Sequence, residues 1–143
     1  MHMQQPSSAP CICFRVRRAS RALTRLYDEA LEPTGLTVTQ FSILRNSERM
    51  DGPTLSQLAE HTGHERSALW RTVQPLIRDG LLTMDAGATE RTRRLRITDA
   101  GREAVARGEP HWRDSQARVE ARLGDENQRR LVALLKEIES LVP

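Results

Sequence analysis

The sequence predicts a mainly α-helical fold carrying one small β-hairpin, and three observations predict it. Residues 55 to 63 (L-S-Q-L-A-E-H-T-G) have the apolar spacing of a short helix and end on a glycine stop. Residues 64 to 82 (H-E-R-S-A-L-W-R-T-V-Q-P-L-I-R-D-G-L-L) repeat that pattern over a longer span and stop at Asp79-Gly80. An arginine-rich segment then ends R-L-R-I-T at 94 to 98, where Leu95 and Ile97 alternate with Arg94 and Arg96. Helix, tight turn, helix and basic hairpin, in that order, make a winged helix-turn-helix.

The flanking elements follow from the same rules. Ile12, Val16, Ala19, Leu23, Leu26 and Ala30 form one apolar stripe, predicting a helix over residues 11 to 31 that Pro33 and Gly35 end. Thr37 is expected to cap a second helix carrying Phe41, Ile43 and Leu44 as far as Glu48. Asp51-Gly52-Pro53 is a turn, and Thr54 either starts a short strand or caps the third helix. Leu55, Leu58 and Ala59 supply the third helix's inner face; Leu69, Val73, Leu76 and Ile77 supply the fourth's, with Pro75 expected to bend that helix without breaking it. Leu81 to Met84 and Thr92 to Ile97 are the expected hairpin strands, with Asp85 to Glu90 as their loop. Asp99 to Leu123 is a long helix with an expected kink at Pro110, and Asp125 is expected to cap a last helix bearing Leu131, Leu134, Leu135, Ile138, Leu141 and Val142.

At 143 residues the chain suits one domain with its own core, and 38% hydrophobic with 29% charged residues describes a globular protein. No apolar run approaches the roughly 20 residues of a membrane helix, and the start lacks the pattern of a signal peptide. Residues 1 to 10 are polar and rich in proline and serine, and are expected to be a flexible tail. The expected place is the cytoplasm. A net charge of +3 does not by itself imply nucleic acid. The distribution says more. Lys136 is the only lysine. A GC-rich genome would raise the arginine total, but it does not explain why Arg91, Arg93, Arg94 and Arg96 crowd into one hairpin.

The first and last helices carry more apolar surface than one small winged domain covers. A second copy of the chain buries it most simply, so residues 11 to 35 and 110 to 143 are expected to form a helical dimerisation region around a DNA-binding region at 36 to 109. A two-fold dimer pairs naturally with a palindromic double-stranded DNA site. In such motifs the second helix enters the major groove by its N-terminal half. Arg66 and Arg71 then reach phosphate or guanine, Gln74 pairs with adenine, and Ser67 and Ala68 allow close approach. Trp70 is read as packing between helix and wing rather than on the sugar-phosphate backbone. Arg91, Arg93 and Arg94 are expected at the minor groove, whose narrow stretches attract arginine. The bland alternative is a solvated hairpin in which they pair with Glu90 or Asp85.

From residue 11 onward the chain resembles the multiple-antibiotic-resistance-regulator (MarR) family. The resemblance rests on L-T-V-T-Q-F-S-I-L at 36 to 44, L-S-Q-L-A at 55 to 59, R-S-A-L-W-R-T-V at 66 to 73, R-D-G-L-L at 78 to 82, R-T-R-R-L-R-I-T at 91 to 98 and D-A-G at 99 to 101. It implies a dimeric winged-helix repressor, less often an activator, released by a small ligand or by oxidation. One departure stands out. Thr89 replaces the aspartate of the family's Asp-x-Arg wing motif, while Arg91 keeps the arginine; Glu90 is a candidate substitute.

Two inputs are open. Cys11 and Cys13 stand in C-I-C-F at the start of the first helix. Residues i and i+2 on a helix point about 200° apart, so a Cys-x-Cys disulfide is strained and two buried, inert thiols are the simple reading. A helix N-terminus with Arg15, Arg17 and Arg18 nearby is also the setting of a reactive thiolate. The segment I-C-F-R-V-R-R-A-S resembles the family's peroxide-sensing branch, which implies that Cys13 is the oxidised residue and Tyr27 its hydrogen-bonding partner from the other subunit. The branch's second tyrosine is replaced by Val38, and its C-terminal resolving cysteine is absent. The other input is a small aromatic or anionic effector, with Phe14, Arg17, Arg18, Tyr27, Phe41 and Trp112 as candidate pocket residues. His61 and His64 have the i, i+3 spacing of a shared helix face, but Gly63 intervenes and no carboxylate cluster joins them, so no metal site is expected. Neither a cofactor nor catalysis is expected. The competing readings are a thiol redox enzyme using Cys13 and an interaction module that does not bind DNA.

Overall fold

The computed structural model describes residues 9–86 and 89–143. The expected tail therefore lies outside the described residues except at Ala9 and Pro10, and Gly87 and Ala88 of the hairpin loop lie outside them as well. Six helices and one hairpin follow in order: α1 (Ile12–Leu31), α2 (Val38–Arg49), α3 (Leu55–Thr62), α4 (Arg66–Arg78), β1 (Leu82–Met84), β2 (Leu95–Ile97), α5 (Asp99–Leu123) and α6 (Asp125–Glu139). Short 3-10 turns stand at Glu32–Thr34 and Glu90–Thr92.

Side-chain caps start the two helices that precede α4. Thr37 accepts from the Gln40 amide while Gln40 accepts from the Thr37 amide, and Thr54 and Gln57 repeat this at α3. Thr54 also forms a β-bridge with Arg94, so it does both things expected of it. Gly63 ends α3 in the left-handed conformation, which lets the chain turn at once into α4. The core is a single cluster in which Phe41, Ile43 and Leu44 of α2 meet Leu58 of α3, Leu69, Val73 and Leu76 of α4, and Leu82 and Leu95 of the hairpin. Ile77 packs against its edge, only half-buried.

β1 and β2 pair antiparallel with Leu82 opposite Ile97 and Met84 opposite Leu95. The return strand begins at Leu95 and not at Thr92. Thr89 and Thr92 explain the difference: the Thr89 amide donates to Thr92 Oγ1 at 3.1 Å, and Thr92 Oγ1 donates to the Thr89 carbonyl at 3.1 Å. These local bonds hold a 3-10 turn where the alternating sequence suggested extended chain.

α5 runs unbroken through Pro110, just as α4 runs through Pro75. Gly108 allows this helix to lie close on α2, since a Cβ there would sit 2.9 Å from Phe41 Cδ2. Asp125 is the first residue of α6 and makes no side-chain cap; Gly124 holds the cap position. No helix among the described residues is long and apolar enough to cross a membrane.

Candidate nucleic-acid interface and effector region

The apolar face of α4 decides what its other face presents. Leu69, Val73 and Leu76 are buried at spacings of four and three, which turns Ser67, Arg71 and Gln74 outward, exposed to solvent, while Arg66 is exposed in the first turn on the side nearer the wing. Ala68 is half-buried at the edge of that face. Neither Arg66 nor Arg71 makes an ion pair among the described residues. Arg66 thus faces the wing side of the helix and Arg71 its outward side.

The hairpin is tied down next to α4. The Asp85 amide donates to the Arg94 carbonyl at 2.9 Å, and the Leu95 amide donates to the Pro53 carbonyl at 2.8 Å. Arg96 Nε donates to Asp85 Oδ2 at 2.7 Å, and this contact pushes the guanidinium pKa above its ordinary range. Of the two acidic partners expected for the hairpin arginines, Asp85 is thus used, but by Arg96. The side chain of Glu90 lies outside the described residues. Arg91, Arg93 and Arg94 are exposed and form no ion pair among the described residues. With a threonine at position 89, the described part of the wing is held by the Thr89–Thr92 bonds and by the Asp85–Arg96 pair at its base.

Trp70 fills the space between the two elements. It is half-buried against the core and lines a cleft of about 280 Å³ with Leu55 and Met84, while Arg66 from α4 and Arg93 from the wing complete the lining. Two guanidinium groups thus stand beside an apolar floor between helix and wing.

The effector residues are arranged differently from the sequence expectation. Phe41 is buried in the core and stacks on Trp112 with ring centroids 6.4 Å apart. The Arg45 guanidinium lies 4.5 Å from the Trp112 ring centroid and 3.8 Å from Glu109 of α5. Phe14, Arg17 and Arg18 are exposed on the N-terminal half of α1. One pocket built from all of these does not form, because Phe41 is spent on core packing. A cleft of about 650 Å³ opens elsewhere, between Val16, Ala19, Leu23 and Tyr27 of α1, Val38, and Leu131 and Leu135 of α6, with Arg15 among its lining residues. Of the six residues expected, it includes Tyr27 alone.

Tyr27 donates to Gln116 Oε1 on α5, and Gln116 Nε2 donates to Glu120 Oε1 at 3.1 Å. Gln128 of α6 reaches the same Glu120 oxygen at 3.4 Å. Burial, and then the Glu120 charge, push the Tyr27 hydroxyl pKa above its ordinary value. The tyrosine's partner within this chain is therefore a glutamine. Cys11 and Cys13 are free thiols and both are exposed in the single chain, not buried within it. Cys11 starts α1 through its carbonyl, which accepts from the Arg15 amide at 3.1 Å, and its thiol makes no cap. Ile12 (69% exposed), Phe14 (57%) and Leu134 (56%) show how much apolar surface α1 and α6 leave open in one chain.

Known proteins place this arrangement. Residues 34–94 match the model of the MarR family. An HTH-type transcriptional repressor of Mycobacterium tuberculosis is 30% identical over 128 residues, which cover 89% of this chain and 92% of that one. The crystal structure of the M. tuberculosis transcriptional regulator MosR in complex with DNA is 41% identical, covers 94% of this chain and 100% of that chain, and superposes with a TM-score of 0.82. The Staphylococcus aureus MepR–DNA complex shares the fold at 18% identity, with 94% of this chain and 100% of that chain covered and a TM-score of 0.80.

Proposed function

Given that the chain belongs to the MarR family of transcriptional regulators, we propose that it is a dimeric, sequence-specific DNA-binding repressor whose reading surface is α4 and the wing. One observation carries the reading. Arg66, Arg71, Arg91, Arg93 and Arg94 stand exposed on α4 and the wing, without ion pairs among the described residues. Arg78 at the end of α4 and Arg96 on the wing are paired with Asp79 and Asp85, and other exposed arginines without an ion pair among the described residues stand on α1 and α5, so it is the gathering of these five on α4 and the adjoining wing that counts. Unpaired arginines on a groove-sized helix and an adjoining wing are what the phosphate backbone and base edges demand. Arg66, Ser67, Ala68, Arg71 and Gln74 read the major groove, and Arg91, Arg93 and Arg94 hold the minor groove beside it.

The open apolar faces of α1 and α6 are covered by a second copy, so residues 11–35 and 110–143 form the dimer and 36–109 the reader. α5 belongs to both, which makes it the mechanical link between them. The reading places the protein with its DNA, in the cytoplasm. The relatives are regulators, and this sets aside a thiol redox enzyme built on Cys13.

The effector enters at the dimer helices. The cleft between α1 and α6 is mostly apolar with Arg15 among its lining residues, which fits a small aromatic molecule carrying an anionic group. Cys13 and Cys11, exposed in the single chain, offer oxidation as the second input at the start of α1, within the proposed dimer region. A gel shift on the DNA upstream of the chain's own reading frame, at about 150 mM salt, tests the function. The expected result is nanomolar binding there and far weaker binding to a random duplex. Equal affinity for both would contradict it.

A further inference from the structure

We propose that a groove between α2 and the α3–α4 turn takes a DNA phosphate, and that His64 makes this contact only as an imidazolium, so that operator binding takes up a proton. The proposal rests on the DNA-binding reading above.

The groove has a volume of about 400 Å³, with Thr39, Ser42 and Asn46 of α2 on one wall and His61, Thr62 and His64 on the other. His64 stands two residues before Arg66, the first residue of α4, and so at the end of the helix that enters the DNA. The cleft under the wing shares no residue with this groove. Two separate recesses therefore border the leading end of α4. Arg66 and Arg93 serve the first, and His64 serves the second.

The hydrogen bonds around Thr62 favour the His64 tautomer that satisfies both of its contacts. Thr62 Oγ1 donates to the Leu58 carbonyl at 2.8 Å. A hydroxyl has one proton to give, so toward His64 Nδ1, 2.9 Å away, the same oxygen accepts. Nδ1 is then the protonated nitrogen of the neutral ring. Nε2 keeps a lone pair, which repels a phosphate oxygen. A second proton on Nε2 converts that repulsion into a charge-assisted hydrogen bond.

Imidazole is the side chain whose ordinary ionisation falls between about pH 5 and 8. The α2 wall carries no charged group. α3 contributes His61, with Glu60 next to it, and α4 contributes Glu65 and Arg66. A phosphate in the groove tips the balance toward the charged form. The contribution to affinity is then full at low pH and is lost as pH rises through the ionisation of the complex.

The test is equilibrium binding of the full chain to its upstream duplex, at about pH 6 and about pH 8, for wild type, His64→Gln and His61→Gln. The expected result is about fivefold tighter binding by wild type at the lower pH, kept in His61→Gln and lost in His64→Gln. At about pH 6, His64→Gln should also flatten the slope of log affinity against log salt by about 0.9, and at about pH 8 it should not. Affinity independent of pH in wild type, or a pH dependence that survives His64→Gln, would overturn the proposal while leaving the regulator reading intact. Absence of specific binding at either pH would overturn that reading, and the proposal with it.

Discussion

Arg96 Nε donates to Asp85 Oδ2 at 2.7 Å, joining the return strand to the start of the hairpin loop. The same guanidinium lies over Gly52, where a Cβ would come within 2.9 Å of Nη1. The base of the wing is thereby clamped to the turn between α2 and α3, and the exposed arginines beyond it inherit that position. Asp85→Ala removes the clamp without touching the core. Both partners are nearly half-exposed, so the melting temperature should hardly change. DNA affinity should fall about three- to tenfold, because the wing must then be ordered on binding. Anisotropy titrations beside a thermal melt check both halves; a lower melting temperature with unchanged affinity would assign the pair to stability instead.

Tyr27 is the only tyrosine, so alkaline titration of tyrosinate absorbance reads it alone. Its folded ionisation lies above the ordinary value of about 10, chiefly from burial and then from Glu120. A group whose pKa is raised by folding contributes stability that is full below the unfolded value and disappears as pH climbs through the folded one. Wild type should therefore lose stability above about pH 10 more steeply than Tyr27→Phe does. Near neutral pH the phenylalanine variant should be weaker by about 1 kcal/mol, since Gln116 loses a partly buried donor. Denaturant melts at both pH values decide it.

Gly101 marks where α5 leaves the hairpin. A Cβ there would sit 2.2 Å from the Leu81 carbonyl oxygen and 2.6 Å from Ile97 Cγ1. Backbone cannot swing aside as the end of a side chain can. Gly101→Ala should cost about 3 kcal/mol by overpacking. An unchanged denaturation midpoint would show that the helix slides freely on the hairpin.

Much of this architecture was legible in local sequence. The stripes of α1 and α4, the caps at Thr37 and Thr54 and the stop at Gly63 depend on neighbours within a few residues, where spacing and side-chain chemistry decide the outcome. The outward Arg71 of α4 was legible for the same reason, since burying Leu69, Val73 and Leu76 leaves it one direction to face. The short return strand was not, because Thr89 and Thr92 compete with the ladder through bonds that alternation does not encode. The effector cleft was not legible either. It joins Val16 and Leu23 to Leu131 and Leu135 across more than a hundred residues, whereas Phe14, Phe41 and Trp112 looked like a pocket by type alone. Phe41 went to the core because Gly108 lets α5 close on it, a contact only the packed helices reveal.

The central claim is that the exposed Arg66 and Arg71 of α4 and Arg91, Arg93 and Arg94 of the wing grip DNA. It is tested most directly by measuring the affinity of Arg71→Ala/Arg91→Ala for the upstream duplex against that of wild type, at one salt concentration and with the melting temperature recorded. The account predicts a loss of about 10- to 100-fold with an unchanged melting temperature, as expected when an exposed base or phosphate contact is removed from each element. Unchanged affinity in the double variant would contradict it.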